Sequence, residues 1–386
     1  MSKYAEVGVD VHKKGTGTFK TAIDNSFPNA FCVITTDPDF SDYGQIHHSD
    51  GVGSKTIVRY VRFKETGDIS VFRGDAVDLL AMNLSDLCCV GGHPTSFTDY
   101  VSINGFYVPK EDFLNELKEG FKQSLDNLRN CGLGKLRFSG GETADLPYQI
   151  KTVDVSGDVY GRVKLSEVIT GDKIKPGNLI VGVRSGGRSR YERGLNPGIM
   201  SNGLTLAWHC LLTDEYNSLY PETIDTHPKS KPYYGKFKVG DSAEDLDMTV
   251  GEALTFPTRL FAPIAMKVLE KHRDNVTGMV HNTGGGQTKC LRIGENVLYV
   301  KDNLPEPDPI FKLIQSASGE SWRDMYNDYN MGSGFDVIAT DRAAAEEIIG
   351  TIEKDFGVEA LIVGHIEESD GKNKLLIKSQ YGEFQY

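Results

Sequence analysis

An acid, two glycines, a hydroxyl and a lysine stand almost side by side in HHSDGVGSK, as Asp50, Gly51, Gly53, Ser54 and Lys55. One chemistry for such a set is a phosphate cradle. Glycine lets backbone N–H groups approach an anion, and lysine adds a point charge. The other reading is a tight surface turn with a solvated lysine, since GVGSK is too short for a Walker-type loop. Further carboxylates lie in or beside glycine-bearing segments: Asp75, Asp78, Asp86 and Glu142. Asn83 and Asp86 are three apart, which puts both on one face of a helix. Oxygen ligands offered by several segments, few from each, suit Mg2+ shared with substrate phosphates. Asp75 and Asp78 read instead as acids that complement a helix N-terminus. His281 directly precedes Asn282-Thr283-Gly284-Gly285-Gly286, a strand end whose free N–H groups could hold an anion. His47, His48 and His93 have no companion set in the sequence and read as satisfied side chains.

These residues need a scaffold. At 386 residues the chain is long enough for two domains. It is 39% hydrophobic and 25% charged, and it has no apolar run long enough to span a bilayer. A formal charge of −12 argues against a nucleic-acid surface, which needs a basic stripe. The start, MSKYAEVGVDVHKKG, has no apolar h-region, so a cytoplasmic protein is expected. Six cysteines without CxxC spacing read as reduced thiols, mostly in the core. The 42 glycines exceed the usual ~7% and cluster, which suggests several loops shaped around a ligand.

Strand-like and helix-like segments alternate through the first half. TIVRYVRF (56–63) reads as a strand, 73–92 as a helix, FTDYVSI as a strand and 111–131 as an amphipathic helix. KLRFSGGETADLP reads as strand, loop and proline stop, and VDVSGDVYGRV as another strand. This pattern predicts an α/β domain. A Lys-Pro-Gly turn within 171–183 marks a boundary, giving segments 1–171 and 172–386. The second segment repeats the style, with an irregular insertion at 213–240.

Taken together and in order, SDGVGSK, GDAVDLLAMNLSDLCCVGGHPTSFTDYVSING, SGGETADLP, SNGLTL, FPTRLF, HNTGGG and MYNDYNMGSGF resemble the phosphoribosylformylglycinamidine cyclo-ligase (aminoimidazole ribonucleotide synthetase) family. The resemblance implies ATP- and Mg2+-dependent ring closure of formylglycinamidine ribonucleotide in purine biosynthesis. It also implies an α/β (α+β) fold, in which an N-terminal mixed-sheet domain builds a barrel across a homodimer and a C-terminal α/β domain supplies substrate loops. By the same resemblance, Asp50, Asp86 and Glu142 would meet the metal, and Asp50, Lys55 and His281 would serve catalysis. Lys20, Gly51, Gly53, Ser54, Lys55, Asn83, Gly141 and Thr143 would face ATP. Ser201, Asn202, Thr283, Gly284, Gly285 and Gly286 would face the substrate. The alternatives are a selenophosphate synthetase-like or thiamine-phosphate kinase-like enzyme of the same superfamily, or a catalytically silent nucleotide-binding protein.

Three departures from the family pattern stand out. Met200 occupies the place of a loop histidine, after an arginine-rich insertion that offers Arg188, Arg190 and Arg193 as replacements. The glycine-rich segment near residues 20–35 is missing, leaving Lys20, Lys13 or Lys14 as the N-terminal ATP-contacting lysine. The usual aromatic after HNTGGG is absent, and the 213–240 insertion is extra.

Overall fold

The computed structural model describes residues 3–9, 15–225, 227 and 232–386. In the first half, β1 (Thr35–Thr36), β2 (Tyr43–Gly51), β3 (His93–Ile103), β4 (Arg137–Asp145) and β5 (Val153–Lys164) hydrogen-bond in the order β1-β2-β5-β3-β4. Only the β3–β4 pair is parallel. Period-two burial is clearest in β5, where Val153, Val155, Val159 and Val163 point inward and the intervening residues do not.

The helices of this half are α1 (Lys3–Glu6), α2 (Lys55–Thr66), α3 (Arg73–Cys89) and α4 (Lys110–Asn130). Phe113, Leu117, Phe121, Leu125 and Leu128 form the buried stripe of α4, as its spacing predicts. Nearly every residue of α3 is buried, because it packs on β2, β5, α4 and the second half at once.

Two expectations fail here. TIVRYVRF is the body of α2 and not a strand. Its β-branched alternation is overridden by helix punctuation, with Gly67 in the left-handed region (φ 73°) closing the helix. The same stretch carries Lys55, Arg59 and Arg62 at helical spacing, and the first two are buried against acids of α3. SGGETADLP is not a loop either, since 139–145 continue β4. A Cβ on Gly141 would lie 1.7 Å from Asp99 Oδ1 on the neighbouring strand, so glycine here permits close approach, not a turn.

The second half contains β6 (Leu179–Arg184), the short ladder β7 (Gly186–Gly187) with β8 (Asn196–Pro197), and α5 (Leu204–Leu211), α6 (Tyr216–Leu219), α7 (Val250–Thr255) and α8 (Ala262–His272). There follow β9 (Val276–His281), β10 (Val297–Lys301), α9 (Pro309–Ser318), α10 (Trp322–Asp328), β11 (Ser333–Ala339), α11 (Arg342–Phe356), β12 (Ala360–Glu368), β13 (Lys374–Ser379) and β14 (Gly382–Gln385). The seven-stranded mixed sheet runs β14-β13-β10-β12-β6-β11-β9. Strands β9 and β11 are buried on both faces, and the polar residues they carry, such as His281 and Asp336, are buried with them. One apolar core joins the halves, containing Leu84 and Leu87 of α3 together with Phe261, Val268 and Phe335. That shared core brings the end of β9 against the end of α3.

Candidate active site

Asp86 is the centre of the site. Its Oδ1 lies 2.7 Å from His281 Nδ1 and its Oδ2 lies 3.4 Å from His48 Nε2. The three residues come from α3, β9 and β2, so both halves of the chain are needed to build the group. Burial alone would raise the pKa of Asp86, but the charge of Lys289 and hydrogen bonds from His281 and His48 hold it well below the ordinary carboxylate value.

The pKa values of the two histidines shift in opposite directions. His48 Nδ1 lies 3.0 Å from Asn83 Oδ1. The Asn83 amide N–H group donates to the Leu79 carbonyl at 3.0 Å and to the Asp50 carbonyl at 3.3 Å, so its Oδ1 must accept. With an Nε2–H turned toward Asp86 as well, both nitrogens of His48 would donate, which is the imidazolium form. Burial opposes this, yet Asp86 outweighs it and the pKa rises. For His281 burial dominates and the pKa falls. The ring is neutral, Nδ1–H is donated to Asp86, and Nε2 is a bare acceptor, buried without a protein partner.

Other groups gather around this triad. Lys289 Nζ donates to Thr283 Oγ1 at 3.0 Å. Asn282 Nδ2 donates to the Ser333 carbonyl at 3.0 Å, while its Oδ1 is buried with no partner. Gly284 faces Asn202, whose Oδ1 would be 3.5 Å from a Cβ built there, and Asn202 Nδ2 is also buried without a partner. Gly286 has φ 48°, and a Cβ on it would sit 2.4 Å from the Tyr329 carbonyl. His281 Nε2, Asn282 Oδ1 and Asn202 Nδ2 are thus buried polar atoms without a protein partner, each costing about 1–3 kcal/mol while it stays unpaired. The loop is braced from behind by Gln287, which accepts from Lys301 Nζ at 2.6 Å; Lys301 also pairs with Asp336 at 2.6 Å.

Several sequence-based expectations are corrected. Lys55 does not line a phosphate path. It is fully buried, 2.9 Å from Asp78 Oδ1 and 2.8 Å from the Phe256 carbonyl. Asp75 does lie in the first turn of α3, as expected, and Asp78 one turn further in; both are buried and ion-paired to Arg59 of α2. The Lys55 and Arg59 charges overcome burial and hold Asp78 at about 2. Glu142 does not join Asp50 and Asp86 within one chain. The cross-strand row Gly51–Ser156–Tyr100–Glu142 sets it three strands from Gly51, roughly 14 Å at the usual spacing. There it is exposed on the edge strand β4, its Oε1 accepting from the Thr143 N–H at 3.0 Å; Gly141 and Thr143 share that edge.

The remaining expectations fall as follows. Asp50 is half-buried, its Oδ1 accepts from the Gly51 N–H at 2.8 Å, and its carbonyl meets Asn83. The turn at Gly53 and Ser54 leads into α2, and Ser54 Oγ lies 2.9 Å from Thr205 Oγ1 at the start of α5. Ser201 Oγ is engaged with Asp78 and Thr258. Met200 is buried with φ 59°, against Gly334, so no titratable group stands where the family histidine would be. Arg190 is tied to the Lys354 carbonyl and Arg188 is exposed; neither bonds to the cluster. Lys20 lies in a single turn, Thr16–Thr21, with its side chain outside the described residues, as are Lys13 and Lys14. Sequence reasoning missed His48. Its parity with the buried Gly44 and Ile46 on β2 was the signal that could have found it. Lys289 and Arg59 carried no comparable signal.

Residues 32–163 match the family described as "AIR synthase related protein, N-terminal domain". The phosphoribosylformylglycinamidine cyclo-ligase of Methanococcus vannielii is 34% identical over 386 residues, covering 97% of this chain and 95% of its own. That of Methanococcus maripaludis strain C7 is 32% identical over 377 residues, covering 96% and 93%. The chain belongs to the phosphoribosylformylglycinamidine cyclo-ligase family. Among solved structures, T. maritima PurL complexed with FGAR shares the fold, with a TM-score of 0.57 at 14% identity over 99% of this chain and 51% of that one.

In a cyclo-ligase that needs His281 as the neutral base and His48 as the cation, the two limbs of the pH profile lie on opposite sides of the ordinary histidine value, about 6.5. Activity falls below the lowered pKa of His281, where the base is protonated, and above the raised pKa of His48, where the cation is lost. The expected kcat/KM profile is a bell, and His48→Gln abolishes the alkaline limb while keeping the acid one. A profile flat from about pH 5 to about pH 9 contradicts this assignment.

Proposed function

We propose that the chain performs ATP-dependent closure of formylglycinamidine ribonucleotide to aminoimidazole ribonucleotide, and that the Asp86–His281 pair works at the reacting atoms. The observation that carries this reading is the bare, buried Nε2 of a neutral histidine whose other nitrogen is fixed by a carboxylate. Such a group takes a proton without first losing one. The formyl-amide oxygen of the substrate attacks the γ-phosphorus of ATP and ADP leaves. The amidine nitrogen then attacks the same amide carbon, phosphate departs with the oxygen, and the nitrogen's proton passes to His281 Nε2. Both reacting groups belong to one molecule, so the protein's task is positioning and charge. Asn282 Oδ1 and Asn202 Nδ2 offer an acceptor and a donor for that positioning.

Asp50, half-buried, and Asp86, ionised, are the acids that would hold magnesium together with phosphate oxygens. Bound there, it would offset charge on the transferred phosphoryl. Among the described residues no group of three or more His, Cys, Asp or Glu is placed to hold a metal ion alone, which agrees with a site shared with the nucleotide. His48 and Lys289 supply fixed positive charge beside it.

The division at 171/172 falls between β5 of the first sheet and β6 of the second, which supports two domains. No described helix is long and apolar enough to cross a membrane, and the six cysteines are free, which supports a reducing compartment such as the cytoplasm. Exposed Tyr100, Phe138 and Tyr148 lie on or just beyond β3 and the unpaired edge β4. They support a face covered by a second copy, which would bring Glu142 and Thr143 to a shared site. Sedimentation velocity reads that directly: a dimer is expected, and a monomer at working concentration removes it.

Purified protein with ATP, Mg2+ and formylglycinamidine ribonucleotide should release ADP and aminoimidazole ribonucleotide one for one. His281→Asn should lower kcat by about 10²–10⁴ while the fold persists. Absence of product from the wild type, or full activity in His281→Asn, overturns the reading.

A further inference from the structure

Asp78 lies within α3, fully buried, and touches none of the groups assigned to chemistry. Yet its carboxylate is the most heavily solicited acceptor described here. Oδ1 accepts from Lys55 Nζ at 2.9 Å, the Thr258 N–H at 2.7 Å, Thr258 Oγ1 at 2.6 Å and Ser201 Oγ at 3.0 Å. Oδ2 accepts from Arg59 Nη2. The two cations also reach across to the second half, Lys55 to the Phe256 carbonyl at 2.8 Å and Arg59 to the Thr255 carbonyl at 3.0 Å. With Asp75 on Arg59, four formal charges cancel in a dry interior.

A buried ion network of this kind is poor evidence for stability, because well-packed apolar groups would do as well or better. What it does supply is register. Ser201 opens the loop whose next residue, Asn202, faces Gly284 with an unpartnered amide. Met200 before it has φ 59° and Gly203 after it has φ 72°, so the loop turns through the left-handed region on both sides of Ser201. The Ser201 hydroxyl is held between Asp78 and Thr258, while Asn330 Nδ2 holds the Gly198 carbonyl before the loop and the Tyr329 hydroxyl the Gly203 carbonyl after it.

We infer that Asp78 is a positioning residue, which through Thr258 and Ser201 sets the Asn202 amide of the second half against the 281–286 loop for substrate binding. This rests on the cyclo-ligase reading for the identity of the substrate, but the tether itself is independent of it.

The test uses Thr258→Val, which deletes a hydroxyl spent entirely on Asp78 and Ser201, with Thr258→Ser as the conservative rescue and Ser201→Ala as a second route to the same lesion. Expected for Thr258→Val and Ser201→Ala is a rise of about tenfold in KM for formylglycinamidine ribonucleotide, the scale of one charge-assisted hydrogen bond. KM for ATP and the melting temperature stay near wild type, and Thr258→Ser restores KM. The double variant is no worse than either single one, because both act through one carboxylate. Hydrogen exchange of the segment 199–205 quickens in the variants whether or not substrate is turned over. Unchanged KM with unchanged exchange overturns the proposal, as does a loss of melting temperature with KM intact. If the wild type makes no product but exchange quickens, the tether stands and only the substrate reading fails.

Discussion

The site depends on one shared carboxylate. Asp86 accepts from His281 on one oxygen and from His48 on the other, and the two rings reach it from strands of different sheets. An unpaired carboxylate in such a place would take up a proton to escape the interior. Here the surrounding donors keep it ionised; its charge raises the pKa of both rings, and the burial of His281, with Lys289 beside it, is what sends that ring the other way. Moving either strand end would undo the electrostatics of all three residues. The apolar core common to both halves is what prevents that movement.

Around this centre the protein spends buried charge on geometry. In one place Lys55 and Arg59 of α2 meet Asp75 and Asp78 of α3 and reach the backbone at 255–256. In another, Lys301 and Asp336 hold Gln287, which braces the glycine loop after His281. Neither network touches the unpartnered polar atoms where a ligand would complete the site. Both fix the backbone of a loop that does. The glycines serve the same end: Gly286 lets the chain pass against the Tyr329 carbonyl, where any side chain would collide.

Much of the scaffold was legible because its signals were local. The stripe on α4 and the strict alternation in β5 follow from burial on one face, and the sequence writes both plainly. Legibility ended where one residue pattern satisfies two structures. TIVRYVRF alternates like a strand, yet Arg59 within it and Lys55 just before it have acids waiting on α3, and no local rule announces that. SGGETADLP looks like a loop because glycine usually bends, whereas here Gly140 takes up a bulge (φ 110°) and Gly141 clears space for Asp99 while the strand continues. For the site, Asp86 and His281 were visible from their flanking motifs. Their contact, 195 residues apart in sequence, was not. Lys55 was misassigned because a lysine after glycines resembles a phosphate ligand until its buried partner is seen.

The central claim is that beside one carboxylate the pKa of His48 is raised by Asp86 while burial lowers that of His281. Histidine side-chain nitrogen NMR on the full-length protein, with each ring assigned by substitution, measures this directly. The account predicts that His281 stays in the Nδ1–H neutral form and titrates below about 6.5, while His48 titrates above it, and that Asp86→Asn lowers the pKa of His48. Two rings titrating together near 6.5, indifferent to Asp86→Asn, would contradict it.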